Sequence, residues 1–274
     1  MKDVRGRVAA ITGAGSGIGR ALSVELARRG AHVAISDVDE AGLADTARAC
    51  EGHGVKVTSL VVDVADRAAV EAWAEQVVAE HGRVNLIVNN AGVALSATVE
   101  SMSYEDLEWL MGVNFWGVVH GTKAFLPHLK AAGEGHVVNI SSVFGLVSIP
   151  TQSAYNAAKF AVRGFTDSLR IELEAERCGV SATTVHPGGI RTNIARNARI
   201  DPSTASVAGD PERARDEFDK VARTTPEAAA EQILAAVQRN RRRALIGPDA
   251  VMFDAVSRLP AGLYQRVLVL GTRL

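Results

Sequence analysis

The chain has 274 residues, 47% of them hydrophobic and 22% charged, enough apolar material to bury one large α/β core. A formal net charge of −1 sets up no broad field, which excludes nucleic acid or an anionic membrane as a partner recognised through bulk charge. Two cysteines, Cys50 and Cys178, lie far apart without Cys-x-x-Cys or Cys/His ligand spacing, which excludes a disulfide framework and a metal site and fits reduced thiols in a cytosol.

In chain order, the first apolar run, Val8–Ile11, is too short for a signal peptide or a spanning helix, so a cytoplasmic protein with no integral membrane segment is expected. That run reads as a strand. Thr12–Gly19 then leads into a helix with Ile18, Leu22 and Leu26 on one face and Gly30 at its end. Further strands are expected over His32–Ile35, Val55–Val62 and Val84–Val88, with a helix through Val70, Trp73 and Val77, ended by Gly82, before the last of these. Ser103 and Asp106 form a capping pair that opens a long helix. Strands follow at His136–Ile140, Val180–Val185 and Ala244–Ile246, and Thr225 before Pro226 reads as an N-cap with Pro at the first helical position. Seven short strands separated by helices predict a doubly wound parallel sheet in a single domain spanning residues 1–274.

Three segments stand apart. Residues 193–225 combine Pro-containing turns with small and charged residues and read as a lid or substrate-binding loop. Arg239–Arg243 has four arginines in five residues; phosphates or lipid headgroups are conceivable partners, but a solvated helix end complementing the macrodipole is the plainer reading. Residues 248–274 form an extension whose apolar residues, from Met252 through Leu270, are spaced for one or two amphipathic helices. Core or subunit packing is its plain reading, and a pocket cover or an interfacial membrane contact are the sharper ones. Asn139-Ile140-Ser141 matches a glycosylation sequon but falls in an apolar strand and is set aside.

Phosphate binding at a helix N-terminus needs exposed backbone N–H groups with no Cβ in the way, which Gly13, Gly17 and Gly19 provide. Asp37 follows 24 positions after Gly13, at the end of the second strand, where a carboxylate accepts hydrogen bonds from a ribose diol. The same carboxylate repels the 2′-phosphate of NADP, so NAD is the expected cofactor and NADP the alternative. There is no Gly-Lys-Ser/Thr, no Gly-x-Ser-x-Gly and no His-Glu-x-x-His, which removes P-loop, hydrolase and zinc-protease chemistry.

Tyr155 and Lys159 lie one helical turn apart, and Ser142 lies 13 residues upstream at the end of the fifth expected strand, where open α/β sheets place their ligands. A carbonyl reductase needs an acid for the substrate oxygen, and tyrosine at a pKa of about 10 serves poorly near neutrality. Lowering it by about three units takes about 4 kcal/mol, roughly one unit charge at about 4 Å in an effective dielectric of about 20. Lys159 is the candidate for that charge, and Ser142 the hydrogen bond that holds the substrate oxygen.

With these residues in view the chain resembles the short-chain dehydrogenase/reductase family from about Arg5 to Thr192. Thr12–Gly19 matches the family's Thr-Gly-x-x-x-Gly-x-Gly turn with Ser16 and Ile18 inside it, Asp63-Val64 its adenine-contacting pair, and Asn89-Asn90-Ala91-Gly92 its Asn-Asn-Ala-Gly strand end. Pro187-Gly188-Gly189-Ile190-Arg191-Thr192 matches its Pro-Gly-x-x-x-Thr turn. The resemblance implies a Rossmann-type fold, a doubly wound parallel sheet of about seven strands with helices on both faces. It implies Tyr155 as acid/base, Lys159 lowering its pKa and holding the nicotinamide ribose, Ser142 orienting substrate, and Asn114 holding a water of the proton relay. Ile190 and Thr192 would hold the carboxamide. A homodimer or homotetramer is implied too, with Trp109, Trp116, Phe160 and Phe165 at the family's usual faces.

The expected reaction is hydride transfer between NAD(H) and an apolar secondary alcohol or ketone: a small alcohol, a hydroxysteroid or a lipid-derived compound. Ala94, Leu95, Val143, Phe144, Gly145, Ile149, Gln152 and Gly188 are the expected apolar substrate contacts. NADP-dependent carbonyl reduction is the enzyme alternative, and a dinucleotide sensor without turnover, marked by a broken Ser-Tyr-Lys set, is the alternative of another class. His120, His128 and His186 read as strand-end or helix-surface residues.

Overall fold

The computed structural model describes residues 1–208 and 222–271. Seven strands form one parallel sheet: β1 (Val8–Thr12), β2 (His32–Asp37), β3 (Val57–Val61), β4 (Leu86–Asn89), β6 (Gly135–Ile140), β7 (Val180–Pro187) and β9 (Arg243–Ile246). Their order is β3-β2-β1-β4-β6-β7-β9, every neighbouring pair parallel. Side chains alternate across the sheet, so Ala9 and Ile11 join one core with Leu22, Leu26, Ile233 and Val237, while Val8 and Ala10 join another with Trp73, Val77, Phe125 and Leu129. Burial on both faces is why the central strands read as unbroken apolar runs. The chain winds outward from β1 to β3, then returns to the other side of β1 with β4. The carboxyl ends of β1 and β4 therefore flank the switch point, where a crevice opens.

The first sheet face is covered by α1 (Gly17–Arg28), α2 (Glu40–Glu51) and the helix Pro226–Gln238. The second is covered by α3 (Arg67–His81), α5 (Gly117–Ala131) and α6 (Ser153–Glu176). The long helix expected after Ser103 begins there as α4 (Tyr104–Met111), with Ser103 Oγ accepting from Asp106 N at 3.0 Å, but a π turn at Gly112–Trp116 interrupts it before α5. Thr225 caps Pro226–Gln238 by accepting from Ala228 N at 3.2 Å, as expected. Gly82 closes α3 at φ +77°, and Gly30, φ +82°, lies just past α1.

Strand boundaries move by one or two residues. β2 runs on to Asp37, because the register with Val61 extends the ladder, and β4 begins at Leu86, with Asn85 ahead of it accepting from Val8 N. The arginine run does not stay in a helix end: Arg239 closes Pro226–Gln238 and Arg243 belongs to β9, its guanidinium 3.1 Å from Asp254 Oδ1. Asn139 is fully buried in β6, which disposes of the sequon. Among the described residues no helix is long and apolar enough to cross a membrane.

Of the 193–225 segment, residues 209–221 lie outside the described residues. The part before them contains β8 (Arg199–Ile200), paired in parallel with β5 (Leu95–Ser96), a 3-10 turn at Pro202–Thr204 and the short α7 (Ala205–Ala208). Arg199 lies 3.6 Å over the Trp109 ring and 2.8 Å from Asp106 Oδ1. With Pro226–Gln238 as α8, the C-terminal extension forms α9 (Pro248–Val256) and α10 (Ala261–Gly271).

Candidate active site

At the switch point, a cleft of about 560 Å³ is lined by Gly13, Ser16, Gly17, Ile18, Asp37, Asp63, Val64, Asn90, Ala91, Gly92, Ser142, Tyr155, Lys159, Pro187, Gly188, Ile190 and Thr192. These are all the catalytic and cofactor-binding residues expected from the sequence except Gly19 and Asn114. Gly19 is a packing residue: a Cβ there would lie 2.1 Å from Gly13 O, so its absence lets α1 start directly beneath the turn. Gly13 has φ +65°, and a Cβ on it would lie 2.7 Å from Ala91 Cα, so the turn passes β4 at backbone distance.

Several side chains brace this turn. Thr12 Oγ1 accepts from Asn90 N and Ala91 N at 3.0 and 3.1 Å. Asn90 Nδ2 donates back to Thr12 O and Gly13 O, both at 3.0 Å. Asp37 Oδ2 accepts from Gly15 N at 2.7 Å and Oδ1 from Asp39 N at 3.0 Å, which aims the carboxylate at the turn. Arg20, the nearest cation in sequence, donates to Gly15 O, Gly42 O and Thr46 Oγ1. It is thus spent on the scaffold.

At the other end, Ser142 opens a short 3-10 turn, Val143–Gly145, and its Oγ accepts from Phe144 N at 3.1 Å. Tyr155 and Lys159 project from the first turns of α6 into the same cleft as Ser142. Lys159 Nζ lies 5.5 Å from the Tyr155 ring centroid and donates to Ile140 O at 3.1 Å. Burial pushes the Tyr155 phenol up to about 12, partly offset by the Ser142 hydrogen bond, and pushes Lys159 down to about 8. Desolvation is the largest influence on both groups in the chain alone.

Asn114 sits in the π turn, fully buried, with its Oδ1 accepting from Val93 N and its Nδ2 donating to Val93 O, both at 2.8 Å. Both halves of its amide are therefore used on the segment after β4, and Gly92 lies between Asn114 Oδ1 and Lys159 Nζ. Each half of the Asn114 amide keeps a further hydrogen-bonding position, an Nδ2 hydrogen and an Oδ1 lone pair.

Of the expected substrate contacts, Ala94 and Gly188 line the cleft, and Phe144 stands edge-on to Tyr155 with ring centroids 6.2 Å apart. Leu95, Val143 and Gly145 are buried in packing, and Ile149 and Gln152 do not line the cleft. Trp109, Val113, Val93, Asn193, Ile194 and Asn197 do so instead. Trp109 is consequently part of the cleft wall, not of an outer face, and Phe165 packs edge-on against Phe115, leaving Trp116 and Phe160 as the exposed pair of the four aromatics.

Three further residues have roles that the sequence reading did not give them. Asn156 holds the loop after Ser142 by donating to Phe144 O and Val147 O at 2.8 and 3.0 Å and accepting from Ile149 N. His186 is fully buried in β7 with Nδ1 donating to Ser142 O at 2.8 Å, and burial pushes its imidazole down to about 4, so it stays neutral. Asp249, in the first turn of α9, accepts from Gly189 N at 2.6 Å and ties the extension to the Pro187–Thr192 turn. Each is a common residue type in an unremarkable local pattern; only the partner, distant in sequence, gives it meaning.

A Gly-rich turn under a parallel sheet's switch point, a strand-end aspartate and a Ser-Tyr-Lys set in the same cleft define a dinucleotide-dependent oxidoreductase. The short chain dehydrogenase profile matches residues 7–203, and the chain belongs to that family. The putative oxidoreductase SadH of Mycobacterium tuberculosis is 48% identical over 272 residues, covering 99% of this chain and 97% of that one. Estradiol 17-beta-dehydrogenase 11 of Homo sapiens is 38% identical over 205 residues, covering 74% of this chain and 67% of that protein. A short chain dehydrogenase/reductase of Burkholderia phymatum, solved in complex with NAD, superposes with a TM-score of 0.88 at 30% identity, over 97% of each chain. The protein is a dehydrogenase of this family, and its cofactor is a nicotinamide dinucleotide.

Proposed function

We propose that this enzyme moves a hydride between NAD(H) and an apolar secondary alcohol or ketone, of the size range from small alcohols to hydroxysteroids and lipid-derived compounds. The observation that carries the reading is one cleft with Asp37 at the nucleotide end and Ser142, Tyr155 and Lys159 at the other. An intact Ser-Tyr-Lys set argues for turnover and against a sensor.

The bound nicotinamide supplies or accepts the hydride. In reduction Tyr155 donates its hydroxyl proton to the substrate oxygen; in oxidation its phenolate takes that proton back. Phe144 N–H donates to Ser142 Oγ, and the serine's own hydrogen is the donor that holds the substrate oxygen beside Tyr155 once substrate is bound. His186 fixes the Ser142 carbonyl, and with it the direction of the side chain. Lys159 is placed to hold the nicotinamide ribose and to favour the phenolate, Ile190 and Thr192 to hold the carboxamide, and Asn114 acts by positioning the chain after β4. The segment 193–225 serves as the substrate-binding segment, its residues Asn193, Ile194 and Asn197 sharing the cleft wall with Trp109. The apolar wall of Val93, Ala94, Val113 and Ile194 supports the substrate class. Exposed Trp116 and Phe160 support a homodimer or homotetramer built on α4–α5 and α6, and the free cysteines fit a cytoplasmic setting.

NAD is favoured over NADP because Asp37 faces the ribose end while Arg20 is committed to Gly15, Gly42 and Thr46. Asp37→Arg is expected to shift the NADP:NAD preference by about 10²-fold, as exchanging a repelling charge for an attracting one is worth about 3 kcal/mol or more at contact distance. Unchanged relative dissociation constants in a fluorescence titration would remove Asp37 as selector.

The Asp249 tie gives a second prediction. Removing its carboxylate orphans the Gly189 N–H, at a cost of about 1–3 kcal/mol in the turn that faces the nicotinamide. Asp249→Ala is therefore expected to raise the KM for the dinucleotide about tenfold with kcat nearly unchanged, and Asp249→Asn, which keeps an acceptor oxygen, to recover most of the loss. Equal KM values in all three proteins would show that the tie does not set the turn.

The overall reading is tested by following NADH and NADPH absorbance separately against aliphatic, aromatic, steroid and diketone carbonyls. NADH-selective reduction of apolar ketones is the expected result; consumption of NADPH alone would overturn the cofactor assignment.

A further inference from the structure

Large apolar side chains left exposed among the described residues concentrate in one stretch: Val251, Met252, Leu259, Leu263 and Val269, at 58, 56, 45, 51 and 47% exposure. α9 turns Ala250 and Asp254 into the body and sets Phe253 against Phe144. Val251, Met252 and Ala255 are exposed on α9, and Leu259 is exposed in the turn that follows it. α10 follows with Leu263 and Val269 uncovered.

Charge on this edge is one-sided. From Ala255 to Gly271 the sequence holds Arg258 and Arg266 and no acidic residue. Asp254, 8% exposed, joins this segment to the arginine run: its carboxylate lies 3.1 Å from Arg243 Nη1 and 2.7 Å from Arg258 Nη2. Arg239, Arg241, Arg242, Arg258 and Arg266 are all exposed. The carboxylates touching these arginines are already paired within the chain, Glu174 with Arg170 and Arg242, Asp254 with Arg243 and Arg258, Asp167 with Arg163 and Arg243. An apolar patch thus adjoins guanidinium groups that outnumber their partners, on a chain whose net charge is only −1.

We propose that the outer face of α9, α10 and the adjoining arginines form a docking surface for an anionic lipid bilayer. Apolar side chains enter the headgroup boundary and guanidiniums meet lipid phosphates. α10 has 11 residues and spans about 16 Å, against about 30 Å for the hydrocarbon core, so it lies in the interface and does not cross. A second copy of the chain fits this edge less well. A two-fold contact would set the same arginines against one another, and the segment brings no acid to pair them.

The test is flotation of the full chain with vesicles of phosphatidylglycerol and phosphatidylcholine, and with vesicles of phosphatidylcholine alone. The expected result is at least tenfold more protein with the anionic vesicles, release at about 0.5 M NaCl as screening shortens the Debye length, and loss of flotation in a Leu259→Asp/Leu263→Asp variant that binds NADH like wild type. Failure of the wild type to float, or equal flotation of the variant, overturns the proposal. So does sedimentation showing that the two substitutions break an oligomer of the lipid-free wild type, since a second copy would then be the occupant. NADH binding is read separately, so the outcome is independent of the proposed substrate class.

Discussion

Tyr155→Phe is expected to cut kcat by about 10²–10⁴, the range that positioned acid–base groups contribute, while leaving the dinucleotide dissociation constant within about twofold. The substitution removes one oxygen from a side chain already packed edge-on to Phe144, so the ring and its contacts stay. What disappears is the hydroxyl that shares the cleft with Ser142 and lies one helical turn from Lys159. Stopped-flow reduction with saturating NADH separates the effects: a binding transient of wild-type amplitude followed by a chemical step slowed at least about a hundredfold is the expected trace. A chemical step at the wild-type rate would mean that another donor, or water, protonates the substrate oxygen. Burial keeps this phenol, pushed up to about 12, protonated at pH 7 but makes its ionisation costly, so proton donation depends on the groups that stabilise the phenolate.

The sequence made the nucleotide half of this cleft readable because its determinants are local. Thr12–Gly19 and the strands that precede Asp37 and Asn90 are short β-branched runs followed at once by the residues that matter, and the parallel sheet brings their carboxyl ends together. The substrate half was read less well. Leu95, Val143 and Gly145 lie within a few residues of Ala94 and Ser142, yet face the interior, because the β5–β8 pair and the 3-10 turn rotate them away. Trp109, Asn193 and Asn197 reach the cleft from segments without strong periodicity. Asp249 acts on Gly189 from 60 residues away and His186 on Ser142 from 44, distances at which a single sequence carries no pairing signal. The π turn at Gly112–Trp116 was equally hidden, since the residues around Asn114 read as ordinary helix.

Lys159→Ala should do two separable things: weaken dinucleotide binding and move the pH profile of alcohol oxidation upward. Oxidation needs the Tyr155 phenolate, so its rate rises with pH until that group has ionised. Lys159 favours the phenolate only as an ammonium, which burial confines to pH values below about 8 in the chain alone, whereas Tyr155 in the same surroundings ionises near about 12. These windows do not overlap in the chain alone, so Lys159 aids the phenolate only where it keeps its proton. Forming the phenolate raises the lysine, and the ammonium lowers the tyrosine, so the pair titrates together in the interval between the two values. Without the ammonium that coupling is gone. Lys159→Ala is then expected to shift the alkaline-rising limb of kcat/KM for alcohol by at least about one unit, equivalent to about 1.4 kcal/mol, in addition to any loss of cofactor affinity. Lys159→Arg, which keeps the charge but cannot fit the Ile140 carbonyl contact in the same way, should restore part of the pH shift and little of the binding. A profile for Lys159→Ala that overlays the wild type, with only the dinucleotide KM raised, would reduce Lys159 to a ribose ligand and leave the acidity of Tyr155 to be set by Ser142 and the rest of the cleft.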